Sequence, residues 1–509
     1  MPQASRRQTV VGLVIVGAVL ALSLWLRASA PSDLWDQTQP RTIAYTADMV
    51  TRGGTAWILA LDAEGFPATK PPLYNWLAAP FVATFGRASE WAHKAPSVLS
   101  LCAIAAALVV LGNRLAPRAG TFAGLAFVST YALFKLGYLA RPDMVLSAIL
   151  FVGWWATVQL LSGTGTSRHA ALFWLSVVLA AWVKGPVAAL LPVFAIVGSF
   201  AVHRSWQPLR AFRPLWGIPL AIVLAPSWYV AAGLVNREHL VNVLWYAEIY
   251  GRFTGEGEEG GHRGIMGTIR GLPFMTFYFF TRFAPWSIAA LLGALALLDR
   301  RDGGGIARWR LAKGGNSLFL AAVWTVLVVA AFTLSSGKRA DYLAPVYGPA
   351  ALVAGWWLAA DRYSPARRVP WLPGVVAAGT IVAVGLSQRA GPVYAPATTK
   401  RFDEMVATLA RVPHDAPLYV ITPQLPHLAI LTSTPTPSAN TFTSACALAD
   451  DGHEVYLAIA DYGLAPLVYA RACDGRAELV ACIEQTYEAE RVYGYPGPLL
   501  VVKLLPPKG

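Results

Sequence analysis

Charge is what this sequence has least of. Asp, Glu, Lys and Arg make up 14% of its 509 residues, against about 25% in soluble domains. With 56% hydrophobic residues beside that shortage, an ordinary soluble globule is excluded. Acids are scarcer than bases, 28 against 41. Cysteine is scarce too: there are four, which rules out a disulfide-dense scaffold. Cys102 falls in an apolar run, and Cys446, Cys473 and Cys482 could form one disulfide among them, with the pairing left open. Their spacing is not that of a zinc site. A nucleic-acid recognition module is missing, and so is a soluble basic face.

What is present is a series of apolar segments of membrane-spanning length. They lie at 9–27, 95–113, 119–138, 144–162, 170–183, 186–203, 214–234, 271–298, 317–335, 342–360 and 369–387. Ala28-Ser29-Ala30 resembles a signal-peptidase site, but the 17-residue run before it exceeds a usual secretory core of about 7–15 residues. It reads as an uncleaved first helix. Alternate connections carry the Lys and Arg: Arg6/Arg7, Arg114/Arg118, Arg168, Arg204/Arg210/Arg213, the run Arg300 to Lys313, and Arg362/Arg367/Arg368. If these face the cytoplasm, eleven spans put the N-terminus inside and the C-terminus outside.

The expected fold is therefore mainly α, a polytopic membrane protein. Residues 1–388 form a membrane domain with external loops at 28–94 and 235–270. Residues 389–509 form a small extracytoplasmic α/β domain, and the charge balance agrees with that division. Residues 400–509 hold 8 Lys or Arg against 12 Asp or Glu, leaving 33 basic and 16 acidic residues for the rest. In the tail, PLYVIT, EVYLAIA and GPLLVVKLL read as strands, with helices at 399–411 and near 477–490.

The external side also carries cations, against the charge rule, and binding an anion is a reason for them. Each motif has a plain reading beside a functional one. In DLWDQTQPRTIAYTADMV (33–50), Asp36 is either a helix cap or loop acid, or a base. In TKPPLYNW (69–76), Pro71 and Pro72 start a short interfacial helix that holds Lys70 at the membrane surface. Helices are expected over 41–51 and 73–85. YLARPDMVL (138–146) puts Arg141 and Asp143 at a helix mouth, where Pro and Asp are also ordinary start signals. Lys184 lies between apolar runs in WVKGPVAALLP, where a lysine either snorkels or serves a ligand. The loop around 245–264 supplies Glu248, Arg252 and His262. Its Gly255 to Gly260 stretch matches G-x-G-x-x-G, yet no strand precedes it and three glutamates would repel phosphates. SSGKRADYLAP (335–345) adds Lys338, Arg339 and Tyr342.

Taken together, one side of the membrane gathers Lys70, Arg141, Lys184, Arg252, Lys338 and Arg339 with Asp36 and Asp143. Transfer of a sugar from a lipid-linked phosphate needs this kind of set. Cations stabilise the departing phosphate more in the transition state than in the ground state. A carboxylate takes the proton of the attacking hydroxyl. Tyr74, Trp76 and Trp91 are candidates to line the approach.

These motifs, in this order, resemble the GT-C membrane glycosyltransferases of the protein mannosyltransferase and aminoarabinose (lipid A) transferase superfamily. The signatures are K-P-P-L-Y-x-W (70–76), A-R-P-D-M (140–144), K-G-P-x-x-x-L-L-P (184–192), P-S-W-Y (226–229), E-x-x-x-R-F (248–253), H-R-G (262–264), A-P-W (284–286) and the 335–345 stretch. The resemblance implies about eleven or more spans, a polyprenyl-phosphate sugar donor used outside a bacterial inner membrane, and inversion at the anomeric carbon. By position it implies donor-phosphate contacts from Lys70, Lys184 and Arg252, to which the gathering of charge on one side adds Arg141, Lys338 and Arg339. It implies catalytic acids at Asp36 and Asp143, and substrate contacts from Arg41, Tyr74, Glu248, His262 and Tyr342. No cofactor is implied with certainty, and a divalent metal is left open. The acceptor is a glycolipid or envelope glycan, with a polypeptide as the alternative. A non-catalytic transporter or assembly subunit is the second alternative, because the family's acidic pair in the first loop falls here on Thr38 and Gln39 and leaves Asp36 as the nearby carboxylate.

Overall fold

The computed structural model describes residues 5–30, 39–62, 66–87, 89–250, 265–298, 316–335, 338–361 and 363–390. In the tail it describes 418–420, 449–460, 477–483 and 499–505. The chain divides into two compact units. One comprises Met1–Arg27, Thr69–Tyr74 and Ala95–Val384; the other comprises Ala28–Ala68, Asn75–Lys94 and Gly385–Gly509.

The helices follow the apolar runs. In chain order they are α1 Arg6–Ala28, α2 Gln39–Arg52, α3 Leu73–Phe85, α4 Glu90–Leu115, α5 Ala119–Val128, α6 Tyr131–Leu136, α7 Asp143–Leu161 and α8 Ser167–Lys184. They continue with α9 Leu190–His203, α10 Pro214–Leu224, α11 Ser227–Val235, α12 Ile265–Arg282, α13 Trp286–Leu298, α14 Asn316–Leu334, α15 Ala344–Ala360 and α16 Leu372–Ala390. A π-helix, Leu240–Tyr250, follows α11.

The chain is an integral membrane protein. Among the described residues seven helices are long and apolar enough to cross a bilayer, or eight if a bent pair counts as one span. The sequence reading placed eleven; the run 369–387 corresponds to a shorter apolar helix, Leu372–Ser387, and the rest of the difference lies in three interruptions. The run 119–138 is divided at Ser129 and Thr130 into α5 and α6. The run 271–298 bends by 111° between Arg282 and Trp286, because Pro285 has no N–H to continue a helix. The third interruption separates α8 from α9 by a 3-10 turn, Gly185–Ala189.

That third break settles whether 170–183 and 186–203 are one crossing or two. As a single straight helix, Ser167 to His203 would run about 55 Å, nearly twice the roughly 30 Å of a hydrocarbon core. Instead, Lys184 at the end of α8 contacts Asp143 at the start of α7. His203 at the end of α9 is hydrogen-bonded to the Leu161 carbonyl at the end of α7, at 2.6 Å. The chain therefore turns back after Lys184, and α8–α9 is a helical hairpin against α7.

In the first unit the centre is α15, with 89% of its apolar window buried; the α10–α11 span is at the other extreme, with 11%. Small residues let the central helices approach. A Cβ on Gly355 of α15 would sit 2.4 Å from the Ala119 carbonyl oxygen of α5, and one on Gly120 would sit 2.0 Å from that of Val109 in α4. Such small-residue contacts are how helices pack where lipid offers no hydrophobic drive. Two buried tryptophan N–H groups find oxygens here: Trp286 donates to Ser129 Oγ (2.8 Å) and Trp324 to the Pro345 carbonyl (3.0 Å).

The second unit contains the helix expected over 41–51 and, from Asn75 onward, the one expected over 73–85. Asp48 and Arg52 are joined by two hydrogen bonds of 2.8 and 2.7 Å. Asp48 also accepts from the Leu61 N–H at 2.7 Å, and Arg52 donates to the Leu59 carbonyl at 3.2 Å. Asn75 donates to the Thr42 carbonyl and to Thr46 Oγ1. The sheet consists of β1 Leu418–Val420, β2 Val455–Ala460, β3 Ala477–Ile483 and β4 Leu499–Leu504, in the order β1-β2-β4-β3. β1 runs parallel to β2, while β2 and β3 are antiparallel to β4. The three expected strands are present, but the helix expected near 477–490 is corrected. Residues 477–483 form strand β3, an edge strand with a register irregularity between Leu479 and Ala481. Pairing with β4 overrides the local helix preference of Ala, Glu and Leu. The stretch 399–411, Cys446 and Cys473 lie outside the described residues.

Candidate active site

The centre of the site is the start of α7. Pro142 fixes the first turn and Asp143 sits at the positive end of the helix dipole. Before them the Arg141 N–H donates to the Leu139 carbonyl at 2.8 Å, closing a tight turn. Ser97 of α4 clamps this turn, its hydroxyl donating to the Leu139 carbonyl (2.6 Å) and standing 3.1 Å from that of Arg141. The Tyr74 hydroxyl lies 3.3 Å from Ser97 Oγ and 3.4 Å from the Leu139 carbonyl. Tyr74 is buried, and burial pushes its phenol above the ordinary value, so it acts as a neutral group.

The turn aims two opposite charges at each other and at two further elements. Asp143, 2% exposed, accepts from Lys184 Nζ on Oδ1 at 2.6 Å and faces Arg141 Nε through Oδ2 at 3.0 Å. Arg141 extends Nη1 to Oδ2 of Asp341, 2.8 Å away. The result is an alternating row, Lys184–Asp143–Arg141–Asp341, drawn from α8, α7, the turn before α7 and the 3-10 turn Ala340–Leu343. Charges buried this far from water need partners of this quality. Lys184 Nζ also stands 5.0 Å from the centre of the Tyr342 ring, a cation–π contact. Lys70 is exposed and lies four residues before Tyr74, whose hydroxyl reaches the Leu139 carbonyl of this turn.

Local backbone explains how Lys184 arrives there. Thr166 and His169 form a reciprocal cap that starts α8, and Gly185 ends it with φ +69°. A Cβ on Gly185 would stand 2.7 Å from the Tyr229 hydroxyl of α11. Glycine is therefore needed at this turn on two grounds, the left-handed backbone and the close approach.

The row brings together Arg141, Asp143, Lys184 and Tyr342, with Lys70 and Tyr74 beside it. Lys338 Nζ donates to the carbonyls of Thr333 (2.8 Å) and Ser335 (2.9 Å), so it caps α14. Arg339 is half-buried at the entrance of the Ala340–Leu343 turn. In the second unit Arg41 lies 3.8 Å from Asp62 Oδ2. Glu248 is on the π-helix, its side chain outside the description, and Asp36, Arg252 and His262 lie outside the described residues. Among the described residues no three His, Cys, Asp or Glu gather as a metal site. Two members escaped the sequence reading. Ser97 carries no local signal in an apolar helix. Asp341 had one, being the single acid among the cations of SSGKRADYLAP.

No family model matches the chain. It is similar to an undecaprenyl phosphate-alpha-4-amino-4-deoxy-L-arabinose arabinosyl transferase of Edwardsiella ictaluri, 25% identical over 333 residues, covering 64% of this chain and 55% of the relative. A transferase of the same name from Pectobacterium carotovorum is 25% identical over 381 residues, 71% of this chain and 63% of the relative. The chain thus spans between half and two thirds of the length of these relatives. Among solved structures it is similar to ArnT from Cupriavidus metallidurans bound to undecaprenyl phosphate. The TM-score is 0.74 at 16% identity, over 99% of this chain and 100% of that one. The chain has the GT-C membrane fold of that protein.

Proposed function

We propose that the protein is a glycosyltransferase of a bacterial inner membrane. It transfers a sugar from a polyprenyl phosphate to an extracytoplasmic glycolipid, with inversion. The observation that carries this reading is the buried row around Asp143 in a fold of the ArnT type. The names of the relatives support undecaprenyl phosphate as the carrier and a 4-amino-4-deoxy-L-arabinose as the class of sugar.

In this reaction an acceptor hydroxyl oxygen attacks the anomeric carbon, and the bond from that carbon to the phosphate oxygen breaks. The lipid phosphate leaves with one more negative charge, while the acceptor proton passes to a carboxylate. Lys70 meets the departing phosphate at the surface, and Lys184 and Arg141 add positive potential behind it. Arg252, Lys338 and Arg339 complete the donor side, and Arg41, Glu248, His262, Tyr74 and Tyr342 the sugar and acceptor side. Asp36 is the base. Asp143, with Oδ1 bonded to Lys184 and Oδ2 facing Arg141, serves by holding these cations in place. The N-terminus lies in the cytoplasm and the tail domain outside, which the alternation of basic connections supports.

The test is transfer from a tagged undecaprenyl-phosphate sugar by membranes carrying Asp36→Asn or Lys70→Ala. Each variant is expected to insert normally and to lose transfer; full activity in both overturns the assignment. Solvent extraction of the product separates a labelled lipid, as expected, from the labelled protein that a polypeptide acceptor would give. Uptake of the donor into liposomes without covalent transfer would mark a transporter.

A further inference from the structure

Asp341 stands at the end of the charged row, where its ion pair is with Arg141. Two features make it more than a spare acid. Its Oδ2 holds Arg141 Nη1 at 2.8 Å while Arg141 Nε holds Asp143 at 3.0 Å, so the guanidinium is stretched between two carboxylates on different elements. Its chain neighbour Tyr342 places a ring 5.0 Å from Lys184 Nζ, the other cation on Asp143. The turn that carries both residues is closed by the Tyr342 N–H donating to the Arg339 carbonyl at 3.1 Å. One short turn therefore reaches both cations of the row.

We infer that Asp341 is a positioning residue for the donor phosphate site. By drawing on the far end of Arg141 it keeps that guanidinium from closing on Asp143 in a two-pronged pair. Asp143 then has an oxygen left for Lys184, and Lys184 stays at the mouth of the row beneath Tyr342. The inference rests on the proposed reading that this row faces the donor phosphate, and it adds a residue that makes no contact with the donor.

The sign of the effect separates this role from simple charge. Removing an acid near an anion site makes the site more positive and, by charge alone, tightens anion binding. Loss of positioning weakens it. The experiment is titration of the full-length protein in lipid nanodiscs with undecaprenyl phosphate, alongside thermal unfolding without ligand. Asp341→Asn is expected to fold and to bind about tenfold more weakly, the usual cost of disturbing a charge-assisted contact. In the Arg141→Lys background the same change is expected to cost less than about twofold, since the two residues act as one unit. Equal or tighter binding by Asp341→Asn, or a full tenfold loss in both backgrounds, overturns the positioning role while leaving the proposed function intact. If Asp341→Asn does not fold, Asp341→Glu takes its place, keeping the charge and displacing the carboxylate: weaker binding supports positioning and unchanged binding overturns it. A wild-type protein that does not bind undecaprenyl phosphate overturns the proposed function and this inference with it.

Discussion

The two units use ion pairs in opposite ways. In the first, the Asp143 side chain is 3% exposed and its cation Lys184 comes from 41 residues away, on another helix. In the second, Lys503 meets Glu454 across the sheet with side chains 25% and 56% exposed, and Arg52 meets Asp48 one helical turn away. The exposed pairs trade water for a partner at little net gain. The buried row surrenders several kcal/mol of hydration per ion and recovers it only while every partner is present. A fold seeking stability alone would fill that space with leucine, so the row points to chemistry.

Four substitutions would sharpen or break the contrast. Lys184→Met should have the largest effect. It leaves Asp143 with one cation in a buried site, costing about 3–5 kcal/mol, and it should abolish transfer; an unchanged melting temperature in nanodiscs would break the comparison. Gly185→Ala forces a Cβ toward the Tyr229 hydroxyl at φ +69°, a strain of about 1–3 kcal/mol, read by the same melting curve and by reduced transfer. Asp48→Ala removes two contacts to Arg52 and one to the Leu61 N–H. It should cost about 1–2 kcal/mol and loosen the loop to limited proteolysis at 53–67. Lys503→Ala should change stability by less than about 1 kcal/mol. The hydrogen bond that Lys503 donates to Glu454 raises the Lys503 ammonium above its ordinary value. What the raised ammonium contributes is therefore present at neutral pH and is lost as pH rises through the raised value, which an alkaline pH series of melting curves would register.

Much of this was legible in the residues, and what was missed has physical reasons. Hydropathy locates the helices because a lipid-facing helix must be apolar along its whole length. ARPDM and KGP, chosen for their charges in apolar surroundings, turn out to touch through Asp143 and Lys184. The α8–α9 reversal follows from Gly185 and Pro186, but the register that sets Lys184 against Asp143 depends on α7, which no local pattern encodes. AELVACI suits a helix or an edge strand, and only β4 decides between them. Asp341 was hidden by its neighbours: next to Lys338 and Arg339 an acid reads as a local counterion, whereas its partner is 200 residues away.

The α10–α11 span has a consequence of another kind. Leu215, Trp216 and Leu234 are more than four-fifths exposed, and the span meets the protein where Trp174 covers Gly217, where the Trp182 N–H donates to the Leu224 carbonyl, and around buried Trp228 and Ala232. For most of its length its solvent is acyl chain. Tyr229, which closes over Gly185, rides on this same span. Bilayer thickness and acyl-chain packing thereby gain a mechanical handle on the turn that carries Lys184, and the choice of host lipid becomes an experimental variable as real as pH.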